Sequence, residues 1–503
     1  MKSYATLSSA ALFGLEAWPV NVEVDIGAGL PAFTIVGLPD KAVEESRERV
    51  RSAIRNSGFV FPNKRITVNL APADIKKEGP AYDLAIALGV LIADKQTPYP
   101  EISDVLILGE LALDGSVRPI NGVLPIALCA QSWEHNQMYV PDKNGQEGAL
   151  VSSMKIFGIS SLCQLVEFIS GRVNIAAEMA QIPDASANPA EFDFAEVRGQ
   201  ENAKRALEIA ATGHHNILMS GPPGSGKTML SHALAGILPP LGKEEILEVT
   251  QLYSVAGQLK QGEHLIRRRP FRHPHHTTSS VALVGGGTFP KPGEISLSHK
   301  GVLFLDELPE FPRSVLEALR QPLEDKIIAV SRAQGSVIFP ADFILVASRN
   351  PCPCGYFGDP NKECTCSAHQ IEKYGKRISG PLLDRIDLHV EVPRLPYDEM
   401  TSKQQGESSA VVRDRVIQAR EIQKKRFGRE KTNSQMRNKE VEQFCKTNEE
   451  GSALLRKAVD SLNLSGRGYI KILKLARTIA DLENSPSVMP GHIAEALQYR
   501  PKK

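Results

Sequence analysis

Eight consecutive residues, Gly221-Pro222-Pro223-Gly224-Ser225-Gly226-Lys227-Thr228, fill every position of G-x-x-x-x-G-K-[ST] and follow the apolar run Asn216-Ile217-Leu218-Met219. A strand that ends in such a loop and runs on into a helix, here expected from Thr228 to Ile237, turns successive backbone N–H groups and a helix N-terminus toward a polyphosphate. Lys227 is placed for the β- and γ-phosphates, and the Thr228 hydroxyl for Mg²⁺. Glycines and prolines also make plain strand-to-helix turns, but the complete motif between these flanks favours the cradle. The chain is expected to bind ATP with Mg²⁺.

Two further strands are expected to bring chemistry to the same place. Gly301-Val302-Leu303-Phe304-Leu305-Asp306-Glu307 reads as a strand covered on both faces, whose acids begin where it reaches the ligand edge of its sheet. Asp306 suits Mg²⁺ through water, and Glu307 is placed to polarise the attacking water. Such a strand end by itself is as readily a capping acid, but behind a complete phosphate loop the catalytic assignment is favoured. Phe343-Ile344-Leu345-Val346-Ala347-Ser348 ends at Arg349-Asn350. The Asn350 amide at that tip suits orienting the lytic water, although an asparagine before Pro351 also makes a turn.

These motifs, with Glu196-Val197-Arg198-Gly199-Gln200 ahead of the loop, Asn350-Pro351-Cys352-Pro353-Cys354-Gly355, and Arg377-Ile378-Ser379-Gly380-Pro381-Leu382-Leu383-Asp384-Arg385-Ile386-Asp387 behind it, resemble an AAA+ ATPase of the Mg-chelatase-like ComM/YifB family. The resemblance covers nearly the whole chain. It implies an α/β P-loop domain with a parallel sheet, followed by a small helical lid. It also implies a ring, expected to be a homo-hexamer, with ATP at the subunit interfaces. Val197, Gly199 and Gln200 match the segment near the adenine. Arg385 matches the arginine finger that acts on the neighbouring subunit's γ-phosphate, and Arg467, in Ser465-Gly466-Arg467-Gly468-Tyr469, matches sensor 2. Without the family, both arginines read as surface or salt-bridging residues.

Four segments are expected along the chain. Residues 1–172 alternate strand-like runs (Asn21 to Ile26; Arg65 to Leu70) with helical patterns (Lys41 to Asn56; Tyr82 to Asp94), an α+β composition. Residues 173–192, rich in Ala, Pro, Asn and Asp, form a linker. The ATPase domain spans 193–393 and the helical lid 394–503. Within the first segment, Ala71-Pro72-Ala73-Asp74-Ile75-Lys76-Lys77-Glu78-Gly79-Pro80-Ala81-Tyr82-Asp83-Leu84 and Arg118-Pro119-Ile120-Asn121-Gly122-Val123-Leu124 resemble a Lon-protease domain. In that family a serine and a lysine occupy the positions of Ala81 and Leu124. A methyl cannot attack a carbonyl and an isobutyl group cannot take a proton, so the domain is expected to be non-proteolytic.

The 503 residues carry 59 Lys and Arg against 58 Asp and Glu, so no whole-molecule field attracts an anionic polymer, and a nucleic-acid site has to be local. No run approaches the roughly 20 apolar residues that span a bilayer, and a cytoplasmic location without membrane association is expected. Seven cysteines in so long a chain do not suggest a secreted disulfide framework. Four of them, Cys352, Cys354, Cys364 and Cys366, lie on two hairpin-like arms and suit a tetrahedral Zn²⁺, a free-thiol loop or a redox pair. Arg267-Arg268-Arg269-Pro270-Phe271-Arg272, with His273-Pro274-His275-His276 and the turn Gly285-Gly286-Gly287 beyond, suits a pore loop on a phosphate backbone or a solvated charged surface. A second basic region runs from Arg413 to Lys431. The reading is a DNA-directed motor, and family resemblance implies branch migration or helicase action on incoming DNA in natural transformation. The rival is a chelatase-type or protein-remodelling ATPase without DNA activity.

Overall fold

Every residue of the strand Val302–Leu305 is buried, as its unbroken apolar sequence requires of a strand covered on both faces. It lies in a five-stranded, wholly parallel sheet with the order Phe271–Arg272, Val302–Leu305, Ile344–Arg349, Ile217–Ser220, Leu388–Glu391. Sequence order and spatial order differ, so the strand ending in Asn350 sits between the one ending in Asp306-Glu307 and the one ending in the phosphate loop. All three motifs therefore emerge side by side at the carboxyl edge, where open parallel sheets bind ligands.

The computed structural model describes residues 3–98, 104–180, 182, 192–260, 262–287, 290–332, 335–359, 362–401 and 406–501. Half of the expected linker, including Pro183 to Pro189, lies outside the described residues. The chain divides into two compact units, Met1–Asp184 with Lys243–Ile266 and Thr288–Lys291, and Ala185–Gly242 with Arg267–Gly287 and Pro292–Lys503.

In the second unit the helices Glu201–Gly213 and Lys227–Ile237 pack with the sheet, and the carboxyl-terminal helices Ser409–Phe427, Gly466–Leu482 and Pro490–Gln498 join the same core through Val412, Val416, Ile472, Leu475 and Ile493. The helical region expected after the ATPase domain is thus present and shares its core with that domain.

The first unit holds a mixed seven-stranded sheet in the order Ala32–Val36, Arg65–Ala71, Glu16–Gly27, Tyr4–Phe13, Val105–Ile107, Gln137–Pro141, Lys155–Ile159. The helix Lys41–Asn56 begins where Asp40 caps it by accepting from Val43 N at 2.8 Å. Helix Asp83–Ala93 is buried at every residue, and its one charge, Asp83, is met by Arg49 Nε at 2.7 Å and by Ser46. Lys243–Ile266 belongs to this unit through a buried polar knot: Ser254 donates to the Glu147 carboxylate and accepts from Gly122 N at 3.0 Å.

The two positions compared with a protease dyad are plain. Leu124 is fully buried, its N–H donating to Glu147 Oε1 at 2.9 Å. Ala81 lines a cavity of about 410 Å³ with Asp40, Glu78, Tyr82, Glu110 and Lys291, and no serine, threonine or cysteine is among the described residues that line it. No helix of the described residues is long and apolar enough to cross a membrane.

Candidate active site

The phosphate loop leaves the Ile217–Ser220 strand and enters the Lys227–Ile237 helix through Gly224 and Gly226, with φ of 75° and 92°, a region that side chains avoid. At Gly221 the constraint is space, since a Cβ would stand 2.1 Å from the Val392 carbonyl oxygen. Lys227 Nζ donates to the carbonyls of Gly221 at 2.8 Å and Pro222 at 2.9 Å, and to Asn350 Oδ1 at 3.4 Å. Burial pushes the Lys227 pKa down, against the pull of Asp306 and Glu307. Ser225 Oγ, inside the loop, is buried with no partner among the described residues. An orphaned hydroxyl and a desolvated ammonium in one loop fit a bound polyphosphate, which would satisfy both.

Thr228 Oγ1 lies 3.4 Å from Asp306 Oδ2. A hydroxyl and a carboxylate are the hard oxygen donors that Mg²⁺ takes, so the pair fits that ion. Leu305 is in register with Ala347, which brings Asp306 beside Ser348 on the next strand. Ser348 Oγ donates to Asp306 Oδ1 and accepts from Glu307 N at 3.0 Å. The same N–H lies 3.1 Å from Asp306 Oδ1. Glu307 itself is left-handed at φ 53°, a strained state for a side-chain-bearing residue that these bonds hold in place. Sequence reasoning passed over Ser348. The available signal was a hydroxyl near the end of an otherwise apolar run, two residues before Asn350. His276, whose Nδ1 is 4.0 Å from Glu307 Oε2, was also missed as a neighbour of the acid.

Val197, Gly199 and Gln200 line a cavity of about 880 Å³ together with Arg394 and Leu395. Gln200 Nε2 donates to the carbonyls of Pro393 at 2.6 Å and Ser225 at 3.4 Å. One side chain thereby ties this cavity, which is large enough for a purine, to the phosphate loop.

The two arginines lie elsewhere. The Arg385 carbonyl accepts from Asn216 Nδ2 at 2.9 Å, and Asn216 immediately precedes the strand whose other end carries the phosphate loop. A four-residue strand separates the two ends by about 13 Å. The Arg385 guanidinium pairs with Glu324, and Arg467 Nη2 reaches the same carboxylate at 3.0 Å. Hydrogen bonding from Arg385 holds the Glu324 carboxyl below its usual range. Both arginines and Glu324 line one cavity of about 880 Å³, with Lys326 and Lys471. The sequence motifs thus form two sets, one at each end of the sheet.

The basic segments are more committed to the fold than their sequence suggested. Phe271 stacks on His232 at a centroid distance of 4.4 Å and lies 6.2 Å from Phe304, so it packs inward instead of offering a face to a base. Arg269 donates to the carbonyls of Pro239 and Lys300, and Arg272 forks onto Glu294. Arg267 and Arg268 remain exposed. In the second region, Arg413 and Arg420 donate to the carbonyls of Gly236 and Ala211, while Arg415, Lys424, Arg426 and Lys431 pair with Glu208, Glu430, Asp481 and Glu440. Much of that region is thus tied into helix packing, while Lys425 and Arg429 stay exposed. Cys352 and Cys354 lie in a bend and turn, Cys364 and Cys366 in irregular backbone outside any strand, and the four sulfurs all lie within 4.8 Å of one another.

Residues 193–400 match the family Magnesium chelatase, subunit ChlI; residues 22–144 match Subunit ChlI of Mg-chelatase; and residues 406–500 match Magnesium chelatase, subunit ChlI C-terminal. The chain is 46% identical over 503 residues to competence protein ComM of Haemophilus influenzae, covering 99% of this chain and 97% of that protein. It is 43% identical over 500 residues to the uncharacterized protein YifB of Escherichia coli, covering 99% and 97%. Similarity to the magnesium-chelatase 67 kDa subunit of Chlorobaculum parvum is 27% over 162 residues, 31% of this chain and 23% of that one.

Proposed function

The chain belongs to the ComM/YifB family of magnesium-chelatase-like AAA+ ATPases, and from that premise we propose that it is a ring-shaped, ATP-hydrolysing motor acting on DNA, a branch-migration helicase that promotes recombination of incoming DNA in natural transformation. The observation that carries the DNA assignment is the likeness to competence protein ComM along nearly the whole of both chains.

The hydrolysis step follows from the residues at the carboxyl edge. The loop N–H groups and Lys227 hold the β- and γ-phosphates, with Ser225 Oγ an added donor. Bound Mg²⁺ supplies charge neutralisation between those phosphates, and Thr228 and Asp306 are the residues that would hold it. Glu307 accepts the proton of the attacking water, and Asn350, already 3.4 Å from Lys227 Nζ, orients that water against the γ-phosphorus. Ser348 positions both acids without touching the nucleotide. Val197, Gly199 and Gln200 receive the base.

Besides Lys227, such a site uses an arginine against the charge that develops on the γ-phosphate. Arg385 supplies it only if it comes from a second copy, because in its own chain it is anchored at the opposite end of the phosphate-loop strand. Arg467 shares that position and faces the neighbour's nucleotide in the same way. A closed ring of identical head-to-tail contacts gives every site such a partner, and a hexamer is the size we propose. Because six of the basic residues from Arg413 to Lys431 bond within the fold, the exposed Arg267 and Arg268 and the loop that follows them are the favoured DNA contact. The unit bearing Ala81 and Leu124 is non-proteolytic in this reading and serves as a ring or substrate-contact element.

ATP turnover should rise several-fold with forked or four-way DNA, and labelled strands should be displaced only with ATP. The Lys227→Ala protein should do neither. ATPase activity that ignores every DNA tested, with no displacement, would remove the DNA assignment and favour the chelatase-like or protein-remodelling alternative.

A further inference from the structure

The four cysteines that follow Asn350 form a cluster compact enough to hold a metal ion, and the neighbouring Gly355 approaches the phosphate loop. Cys352 is fully buried. Its sulfur is 3.3 Å from Cys354 Sγ and 3.7 Å from Cys364 Sγ, and Cys354 Sγ is 3.6 Å from Cys364 Sγ. Four thiolates around a tetrahedral Zn²⁺ at about 2.3 Å stand about 3.8 Å apart, so a small outward adjustment seats the ion. Backbone N–H groups already turn toward two of the sulfurs, from Phe357 to Cys352 Sγ at 3.3 Å and from Cys354 to Cys366 Sγ at 3.4 Å. Donors of that kind orient and stabilise metal-bound thiolates.

The position of this cluster gives it a consequence. Only Pro351 separates Asn350 from Cys352, and Gly355, one residue past Cys354, meets the phosphate loop. A Cβ on Gly355 would stand 2.6 Å from Pro223 Cδ and 4.0 Å from Asn350 Cγ. Gly355 is also left-handed, at φ 85°. Between Asn350 and Gly355 the described backbone makes turns without strand or helix pairing, tied by Gly355 N donating to the Cys352 carbonyl at 3.0 Å and by Lys227 on Asn350, and a metal on the cysteines would fix it further.

We propose that Cys352, Cys354, Cys364 and Cys366 bind one Zn²⁺, and that this ion holds the Asn350 turn against Pro223 so that metal occupancy sets the rate of ATP hydrolysis. The second half rests on the ATPase reading above, and the first does not. Binding replaces up to four S–H protons by four Zn–S bonds and releases those protons to solvent, with no change of oxidation state.

The test uses the full chain purified in reducing buffer. Metal analysis should find about one zinc per chain in the wild type and in Cys129→Ser, and less than about a fifth in Cys364→Ser. Cobalt in place of zinc should give the visible bands of a tetrahedral thiolate complex. Because Cys364→Ser could simply misfold, the metal is also removed from the wild type with a thiol-reactive mercurial, then thiol and Zn²⁺ are restored. Removal should raise amide hydrogen exchange across 221–228 and 350–355 and lower kcat about tenfold, and restoration should reverse both. Absence of zinc with no cobalt spectrum, or a pair of disulfides in the native protein, overturns the metal site. Stoichiometric zinc whose removal leaves exchange at the phosphate loop unchanged overturns the clamp. A wild type that holds zinc and gains exchange on its removal, yet hydrolyses no ATP, overturns rate control and the ATPase reading while leaving the metal site standing.

Discussion

Arg385→Ala is expected to lower kcat for ATP about a thousandfold while leaving nucleotide binding to the isolated chain unchanged, because arginine fingers are worth 10³ or more in phosphoryl transfer. That corresponds to about 4 kcal/mol of transition-state stabilisation. The separation of effects follows from place. Arg385 is anchored through Asn216 at the amino end of the phosphate-loop strand, away from its own Lys227 and Thr228, so its loss removes nothing that holds ATP in the same chain. Arg385→Lys should recover little, because a lysine is a point charge without the planar fork that spans two phosphate oxygens. Single-turnover hydrolysis and titration with a fluorescent nucleotide separate the two effects. Equal losses in both would place Arg385 in its own chain's binding site. Arg385→Ala also leaves Glu324 to Arg467 alone, which serves as a check that the site has not collapsed.

Glu307→Gln should be nearly as severe, with kcat down about 10²- to 10⁴-fold, the range expected when a positioned base is lost. Glutamine keeps the shape and the backbone bond to Ser348 but cannot accept the water's proton. ATP should therefore bind and remain intact, and a trapped ATP-bound assembly should accumulate. Near-normal turnover would transfer the role of base to another group at the carboxyl edge.

Much of this was legible in the sequence, and for identifiable reasons. A strand buried on both faces has to be written in uninterrupted apolar residues, so Val302–Leu305 and Ile344–Arg349 announced themselves, and their polar ends marked the ligand edge. The helical pattern from Lys41 to Asn56 marked the helix that forms over those residues. The phosphate loop is a local structure encoded by a local motif. What stayed hidden depends on partners far along the chain. Nothing near Arg420 shows that it will cap the Ala211 carbonyl 209 residues away, or that Arg426 will meet Asp481, so a basic run looked available for DNA when it holds helices together. The same holds for Glu324, which draws Arg385 and Arg467 to one point across separations of 61 and 143 residues. Lys243–Ile266 lies between the phosphate-loop helix and the strand Val302–Leu305 in sequence but packs in the first unit, where Ser254 donates to the buried Glu147.

Mixing the two inactive proteins tests most directly whether the site is shared between copies. In a one-to-one mixture of Glu307→Gln and Arg385→Ala chains, a site is complete wherever an Arg385→Ala chain, which retains Glu307, is followed by a Glu307→Gln chain, which retains Arg385. Random assembly makes that true of about a quarter of the interfaces, so ATPase activity should return to about that fraction of the wild-type value, while either protein alone stays inactive. A mixture no more active than its components, under conditions where the wild type assembles and turns over, would contradict a site built from two neighbouring chains.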